Sequence, residues 1–453
     1  MSRTIKLRKG LDIKLLGEAD KVKTNAEHSA VFAIKPPDFH GLVPKMTVKV
    51  GDKVQAGTVI FENKYSADVK FVSPVAGEIA EIVRGAKRRI LEVLITADAE
   101  NSFAEFGKKD PSSMSGEEVK ATLLATGLWP FIKMRPIDIV ADPANEPKAI
   151  FVSGFDSAPL APDYDYVLHG ENEAFQAGIT ALSKLTSGKV HITTKGNVAA
   201  DPAIAGATGA QHNKITGKHP AGNVGTQIHH IDPVNKGEFV WTVNALDVAL
   251  IGRSLLAGKF DASRVVAVTG SEVKNPKYIK TTLGASLKDI LADNVKEGNV
   301  RTISGNVLTG AKVAADGNIG FYDSHVTVIP EGDEPKFMIT KGWLSPGFGK
   351  FSTNRSYFSW LMPNKKYALD TNLNGEIRSF VVTGEMEKVF PFDVYPMHLT
   401  KAVMYNDIDL MENLGIYEVA PEDFALCEFV CTSKINIQNV IREGLDVIYE
   451  ECM

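Results

Sequence analysis

Residues 47–79 read TVKVGDKVQAGTVIFENKYSADVKFVSPVAGEI. No other stretch restricts the fold as tightly. Val48, Val50, Val54, Val59 and Phe61 fall between turn-formers at Gly51-Asp52 and Gly57, and Pro74 and Gly77 follow. Apolar runs this short, bounded by Gly, Asp and Pro, make short strands joined by tight turns rather than helices. EIAEIVRGAKRRILEVLITAD prolongs the strand pattern, and the all-β unit closes near residue 100.

The segment is similar to the hairpin repeats of biotinyl and lipoyl carrier domains, whose fold is a barrel-sandwich hybrid. Those domains modify a lysine at a hairpin tip, a fixed distance before a proline. Here Pro74 is the matching proline, and the modified position falls on Ser66, between Tyr65 and Ala67. Lys64 and Lys70 are out of register, and a register slip turns a strand side chain to the other face. The expectation is a carrier-type fold without a carried group, used as a structural or docking module.

A polar linker, SFAEFGKKDPSSMSGEE, follows. KAIFVSGF reads as a buried strand. Phe175, Ile179, Leu182 and Leu185 recur at helical spacing, and KVHITT is a second strand. Strand, helix and strand in this order make a βαβ unit, which carries a parallel sheet. RVVAVTGSEV, GASLKDILADN, VRTISGNVLTG and SHVTVIPEG read as strand, helix, strand and strand, a small β-grasp pattern. The last hundred or so residues read as helical, punctuated by Pro391, Pro396 and Pro421. Ile437, Val440, Ile441, Leu445 and Ile448 give the final helix one apolar stripe. The expected class is α/β multidomain. A barrel-sandwich hybrid spans 1–100, a Rossmann-like α/β domain 101–258, a β-grasp domain of the SLBB kind 259–331 and a mainly helical domain 332–453.

A net charge of −5 argues against a general nucleic-acid binder, which needs Lys/Arg excess to displace counterions. The basic start MSRTIKLRKGLDIKL has no apolar run behind it, so no secretory signal is expected. DVALIGRSLLAGKF is broken by Asp247 and Arg253, and nothing reads as a bilayer span. Three cysteines suit a reducing cytoplasm.

In CEFVC, Cys427 and Cys431 stand four apart. If they are the last two ligands of a four-iron site, the first two fall on Pro421 and Phe424, which cannot ligate iron. They read as buried helical cysteines, the alternative being a metal shared with another chain. His212, His219, His229, His230 and Asp232 fall in a Gly- and Pro-rich stretch. That stretch reads as a structural or interface loop, with a regulatory metal or a partner or quinone contact as alternatives. No G-x-G-x-x-G follows a strand, and GKH at 217–219 and GKF at 349–351 lack the hydroxyl of a phosphate loop. NADH or flavin binding by this chain is therefore not expected. TGLWPFIKMRPID sets Trp129, Pro130 and Phe131 beside Lys133 and Arg135. It reads as packing first, or as a wedge for an apolar ligand with carbonyls. YDSHVTVIP and FGKFSTNRSYFSWLM read as packing.

The order carrier-like barrel, GLWPFIKMRP, IFVSGFDSAPLAPD, GKHPAGNVGTQIHHIDPV, VTGSEVKNPKYIKTTLG, ISGNVLTG and CEFVC resembles one family over essentially the whole chain. That family is NqrA, a component of the bacterial Na+-translocating NADH:quinone reductase. The resemblance implies a peripheral subunit on the cytoplasmic face of the inner membrane, with the five other subunits of the complex, B to F, as partners. The complex passes electrons from NADH through flavins and iron–sulfur centres to quinone and exports Na+. The resemblance also implies that this subunit binds no redox cofactor tightly and works at the quinone-reducing end. The same architecture resembles RnfC and the NADH- and FMN-binding subunit of complex I. The glycine-rich flavin loop of those relatives is replaced here around GLWPFIK.

No residue is expected to do catalytic chemistry or to ligate a metal. The candidate quinone-proximal residues are Phe131, Lys133 and Arg135, followed by Lys35 and His40 in AIKPPDFHGLVPK. The rival readings are an RnfC-like electron relay with a flavin or Fe–S cluster, and a non-catalytic binder of a soluble ligand.

Overall fold

The computed structural model describes residues 3–26 and 29–453. The 47–79 stretch folds as expected into short strands. Pro44–Met46, Val59–Asn63 and Lys70–Val72 make a three-stranded sheet. Val31–Ile34, Ile90–Ala97, Gly77–Arg84 and Lys53–Val54 make a four-stranded one. Gly51 and Gly57 turn the chain at φ of +90° and +95°, where a side chain would be strained. Ile60, Phe61, Ile79, Val93 and Ile95 fill the space between the sheets with no solvent exposure. This is the barrel-sandwich hybrid. The tip between Val59–Asn63 and Lys70–Val72 carries Tyr65, 77% exposed, and Ser66.

The second unit is built on a seven-stranded sheet. In spatial order its strands are Thr4–Lys6, Gln211–Thr216, Lys189–Lys195, Ala149–Ser153, Val240–Asn244, Lys133–Arg135 and Ile139–Val140. The first five run parallel, and the last two form an antiparallel edge. Alternation sorts the central strand: Ile150 and Val152 join the core that holds Phe175 and Ile179 of helix Asn172–Ser183. Ala149 and Phe151 pack with Ile228 and Ile231 of helix Val224–Ile231. Helices thus cover both faces, as a buried parallel sheet requires. Helix Asn172–Ser183 crosses helix Ala245–Ala257 through glycines. A Cβ on Gly178 would lie 2.2 Å from the Val248 carbonyl oxygen, and one on Gly252 1.8 Å from that of Ala174.

A six-stranded sheet follows, in the order Ala311–Lys312, Val300–Ser304, His325–Pro330, Ser263–Thr269, Lys277–Thr282 and Asp20–Asn25. Helix Leu287–Leu291 completes the β-grasp pattern. The sequence reading lacked Lys277–Thr282 and did not anticipate that the N-terminal segment serves two other sheets. Thr4–Lys6 pairs with Lys214–Thr216, and Asp20–Asn25 runs along Lys277–Lys280.

The C-terminal region is helical as expected from Met386 onward, but its first part is not. Residues 331–385 hold one 3-10 turn, Phe358–Leu361, and no other helix or strand. Glycine, proline and unspaced aromatics give this stretch no helical stripe. Helices begin at Met386–Val389 and continue with Pro396–Met404, Ile408–Asn413, Ala425–Val430 and Ile437–Cys452. They enclose a separate core around Phe390, Phe424 and Leu445. The stripe of the last helix is buried at Ile437, Ile441, Leu445 and Ile448, with Val440 half-buried. Among the described residues no helix is long and apolar enough to cross a membrane.

Candidate functional site

From strand Ala149–Ser153 the chain crosses to Lys189–Lys195 on one side. From Gln211–Thr216 it returns to Val240–Asn244 on the other. The two loops leaving Ser153 and Asn244 therefore diverge, and such a switch point at the carboxyl ends of parallel strands opens a crevice. A cavity of about 270 Å³ lies there, with Ser153, Thr242 and Asn244 in its lining. Three other parts of the chain wall it: Phe131 and Lys133 at the sheet edge, Tyr322 to His325 from the β-grasp unit, and Glu422 from the C-terminal unit.

Local hydrogen bonds fix the rim. The Ser153 hydroxyl donates toward the carbonyls of Phe155 and Gly222, both at 2.8 Å, and accepts from Gln227 Nε2 at 2.7 Å. Gly222 N–H donates to Ser157 Oγ at 2.7 Å, and that hydroxyl is hydrogen-bonded to His219 Nδ1 at 3.0 Å. Burial lowers the His219 pKa, which favours the neutral ring. The Tyr164 hydroxyl accepts from Asn244 Nδ2 at 2.8 Å, and burial pushes its pKa up.

Lys133 sits with its ammonium 4.3 Å from the Tyr322 ring centroid and 3.8 Å from Asp138 Oδ2. The Tyr322 hydroxyl donates to the Pro130 carbonyl at 2.7 Å, which holds that ring in place. His325 is 3% exposed, and neither ring nitrogen has a partner. Burial pushes its pKa down, so it stands as a neutral imidazole with one free donor and one free acceptor. An unpaired buried imidazole costs free energy unless something else meets it.

The structure divides the sequence candidates. Phe131 and Lys133 line the cavity. Phe131 is 1% exposed and stacks on Phe321 at 4.7 Å. Arg135 does not line it. Its guanidinium is buried, with Nη1 3.0 Å from Asp423 Oδ2, Nη2 2.5 Å from Glu422 Oε1 and Nε 3.6 Å from Asp138 Oδ1. Burial acts to lower its pKa, and the three carboxylates outweigh this and raise it. Arg135 holds the wall from behind. Lys35 and His40 also lie outside the lining: Lys35 Nζ bonds the Asn318 carbonyl, and His40 Nε2 pairs with Asp446 Oδ1 at 2.7 Å. Both serve contacts between units.

Sequence reading missed Tyr322, Asp323, Ser324 and His325, which it assigned to packing. Their signal was a polar cluster placed directly before the β-branched strand His325–Pro330. The His-rich stretch is not one loop. His212 lies on Gln211–Thr216, and His229 and His230 lie on helix Val224–Ile231; Gly217, Pro220 and Gly222 make the turn between them. Each side chain has its own partner. His212 Nε2 meets the Ala207 carbonyl at 2.7 Å, His229 Nδ1 the Glu418 carboxylate at 2.7 Å, and His230 Nδ1 the Thr226 carbonyl at 2.9 Å. Among the described residues no three His, Cys, Asp or Glu converge as a metal site.

Cys427 and Cys431 are buried, at 0% and 3% exposure. Burial pushes the Cys427 thiol well above its usual range. Phe424, at one of the positions where a cluster would need a ligand, packs its ring 4.8 Å from Phe390. The donor set does not fit an iron–sulfur cluster.

Three family models match the chain. The NqrA N-terminal barrel-sandwich hybrid domain matches residues 5–98, the NqrA second alpha/beta domain residues 114–260, and the NQRA C-terminal domain residues 265–315. The NqrA component of the Na(+)-translocating NADH-quinone reductase of Yersinia pestis bv. Antiqua (strain Angola) is 36% identical over 99% of this chain and 100% of that protein. The protein of the same name from Hahella chejuensis is 35% identical over the same shares. That of Alcanivorax borkumensis is 37% identical, again over 99% and 100%. A chain of an NAD+-reducing [NiFe]-hydrogenase aligns over 75% of this chain and 64% of its own length, at 12% identity and a TM-score of 0.37. Matches to successive parts of one protein, together with relatives aligned end to end, place this chain in the NqrA family of Na(+)-translocating NADH-quinone reductase subunits.

Proposed function

We propose that the switch-point cavity receives the headgroup of a quinone, and that the chain serves an NADH–quinone reductase that translocates Na+. In this reading it is a peripheral subunit on the cytoplasmic face of the bacterial inner membrane. It docks on the five other subunits, which hold the flavins and iron–sulfur centres. Its own units end near residues 100, 258 and 331.

The observation that carries the quinone assignment is the unpaired, buried His325 in a wall shared with Phe131 and Lys133. A quinone is an uncharged flat ring with two carbonyl oxygens, and a site for it needs apolar surface and one or two donors. Lys133 and a neutral imidazole N–H supply donors; Phe131 and Tyr322 supply aromatic surface. The lining also holds Asp138, Asp156, Asp247, Asp323 and Glu422. Carboxylates in that number disfavour a phosphate-bearing nucleotide and leave an uncharged ring unopposed. The buried, protonated Cys427 speaks against the electron-relay alternative.

The test is steady-state kinetics of the assembled complex carrying Lys133→Met or His325→Phe. The quinone KM should rise about tenfold or more, the scale for one lost hydrogen bond to a buried group. NADH oxidation with an artificial acceptor should persist. Unchanged quinone kinetics in both variants would overturn the assignment.

A further inference from the structure

Residues 331–371 leave the β-grasp sheet and return beside their starting point. Gly332 N–H donates to Thr371 Oγ1 at 2.9 Å, and the Thr371 hydroxyl donates to Glu331 Oε1 at 2.7 Å. Arg301 and Lys312 hold the same carboxylate, and these bonds lower its pKa to about 2. Buried Tyr367 takes a second bond at the exit, from its N–H to the Lys14 carbonyl at 2.9 Å. The base is therefore pinned. A loop this long with so little regular structure is usually either functional or a linker, and a linker does not return pinned to its own starting point.

The loop is cross-braced inside. Lys350 Nζ donates to the Gly342 carbonyl at 2.7 Å, and the Tyr357 hydroxyl donates to the Trp343 carbonyl at 3.1 Å. Phe348 stacks on Phe358 at 6.0 Å. Yet its largest apolar side chains face solvent. Trp343 is 69% exposed, Phe337 67%, Phe348 60%, Ile339 58%, Leu361 57% and Trp360 50%. Concentrated exposure of this kind marks an interaction surface.

Charge identifies the occupant. Residues 335–366 contain Lys336, Lys341, Lys350, Arg355, Lys365 and Lys366, and no Asp or Glu, in a chain of net charge −5. Lys336 and Lys366 pair with Asp370 and Glu18, while Lys341, Lys350, Arg355 and Lys365 have no carboxylate partner among the described residues. Protein–protein interfaces are depleted in Lys. Tryptophan and tyrosine interleaved with Lys/Arg belong to the boundary between lipid headgroups and acyl chains, and cations there are drawn to anionic lipid.

We propose that the 335–366 loop is a monotopic lipid anchor: Trp343 and Trp360 enter the interfacial layer of a bilayer, and Lys341, Lys350, Arg355 and Lys365 bind anionic headgroups. This deepens the peripheral placement under Proposed function and rests on it only for its cellular setting. The test below uses the full chain without other subunits, so failure of the quinone assignment leaves it intact.

The chain has four tryptophans, and Trp129 and Trp241 are buried at 0% and 2% exposure. Only the two loop tryptophans can reach lipid. The full chain is mixed with vesicles of phosphatidylglycerol and phosphatidylcholine, some containing brominated acyl chains, and with vesicles of phosphatidylcholine alone. The expected result is co-sedimentation with the anionic vesicles, a blue shift and bromine quenching. Trp343→Ser with Trp360→Ser should abolish the quenching and weaken binding at least about tenfold, with the melting temperature retained. Lys341→Ala with Arg355→Ala should weaken binding on the order of thirtyfold at low salt. No binding to anionic vesicles at low salt would overturn the proposal. So would equal binding by the tryptophan variant, or capture only by proteoliposomes that hold the partner subunits, which would make the loop a protein-docking surface.

Discussion

Arg135 Nη1 lies 3.0 Å from Asp423 Oδ2, and both side chains are closed to solvent. The pair joins the antiparallel edge of the seven-stranded sheet to the turn Pro421–Phe424 of the C-terminal unit. Ala420 N–H donates to the same oxygen at 2.9 Å, and Asp423 Oδ1 has no partner. Removing one member of such a buried pair strands the other. Arg135→Met should therefore cost about 3–5 kcal/mol of stability, measured by denaturant unfolding. Stability within about 1 kcal/mol of the parent, with only the quinone KM altered, would show that Arg135 acts as a ligand contact instead.

Gly252 stands inside a helix, where alanine ordinarily gains about 1 kcal/mol. Here the added methyl would meet the Ala174 carbonyl oxygen at 1.8 Å. Gly252→Ala should lower stability by about 1–3 kcal/mol, because the helices cannot separate without opening the core on both sides. A raised melting temperature would show that the crossing has slack.

Buried His191 and half-buried Asp38 tilt the pH dependence in opposite directions over one window. Burial lowers the His191 pKa from 6.5 to about 4. The unfolded chain binds that proton first, so stability is lost as pH falls from about 6.5 to about 4. Burial raises the Asp38 pKa from 3.8 to about 6. There the folded chain keeps the proton longer, so stability is lost as pH rises from about 4 to about 6. Each contributes about 2–3 kcal/mol at most. Chemical denaturation across this range should show a flattened acid limb for His191→Gln. Asp38→Asn should gain stability at pH 7 and none at pH 3.5. Slopes of the reverse sign would contradict these assignments.

Thiol accessibility separates the three cysteines. Cys427 and Cys431 are buried and Cys452 is partly exposed. A maleimide applied to the native chain at neutral pH should label Cys452 alone, and all three should react after unfolding. Rapid native labelling of Cys427 would mean the helical core around it opens readily.

What the sequence could reveal followed the range of the interactions. The barrel hairpins and the strand–helix–strand around Phe175 rest on neighbouring residues, so spacing and turn-formers expose them. Thr4–Lys6 and Asp20–Asn25 are short and largely exposed, and their partners lie far along the chain. No local pattern encodes such pairings. The cavity was half legible: an aromatic–basic cluster drew notice to Phe131 and Lys133, which line it, and also to Arg135, which does not. Residue type does not distinguish a lysine beside a crevice from an arginine locked behind its wall. His325 stayed hidden because a histidine at the head of a buried strand resembles core until its missing partners are seen.

The early strands carry a consequence for how the chain is made. Thr4 finds its neighbour only at Lys214, and Lys23 only at Tyr278. At roughly 5–20 residues per second, a ribosome would take on the order of ten to sixty seconds to deliver those positions. Through that interval the first segment waits unpaired while the barrel behind it is already complete in length. The first residues synthesised are thus seated only after the strands they join have been made, and each becomes the edge strand of its sheet.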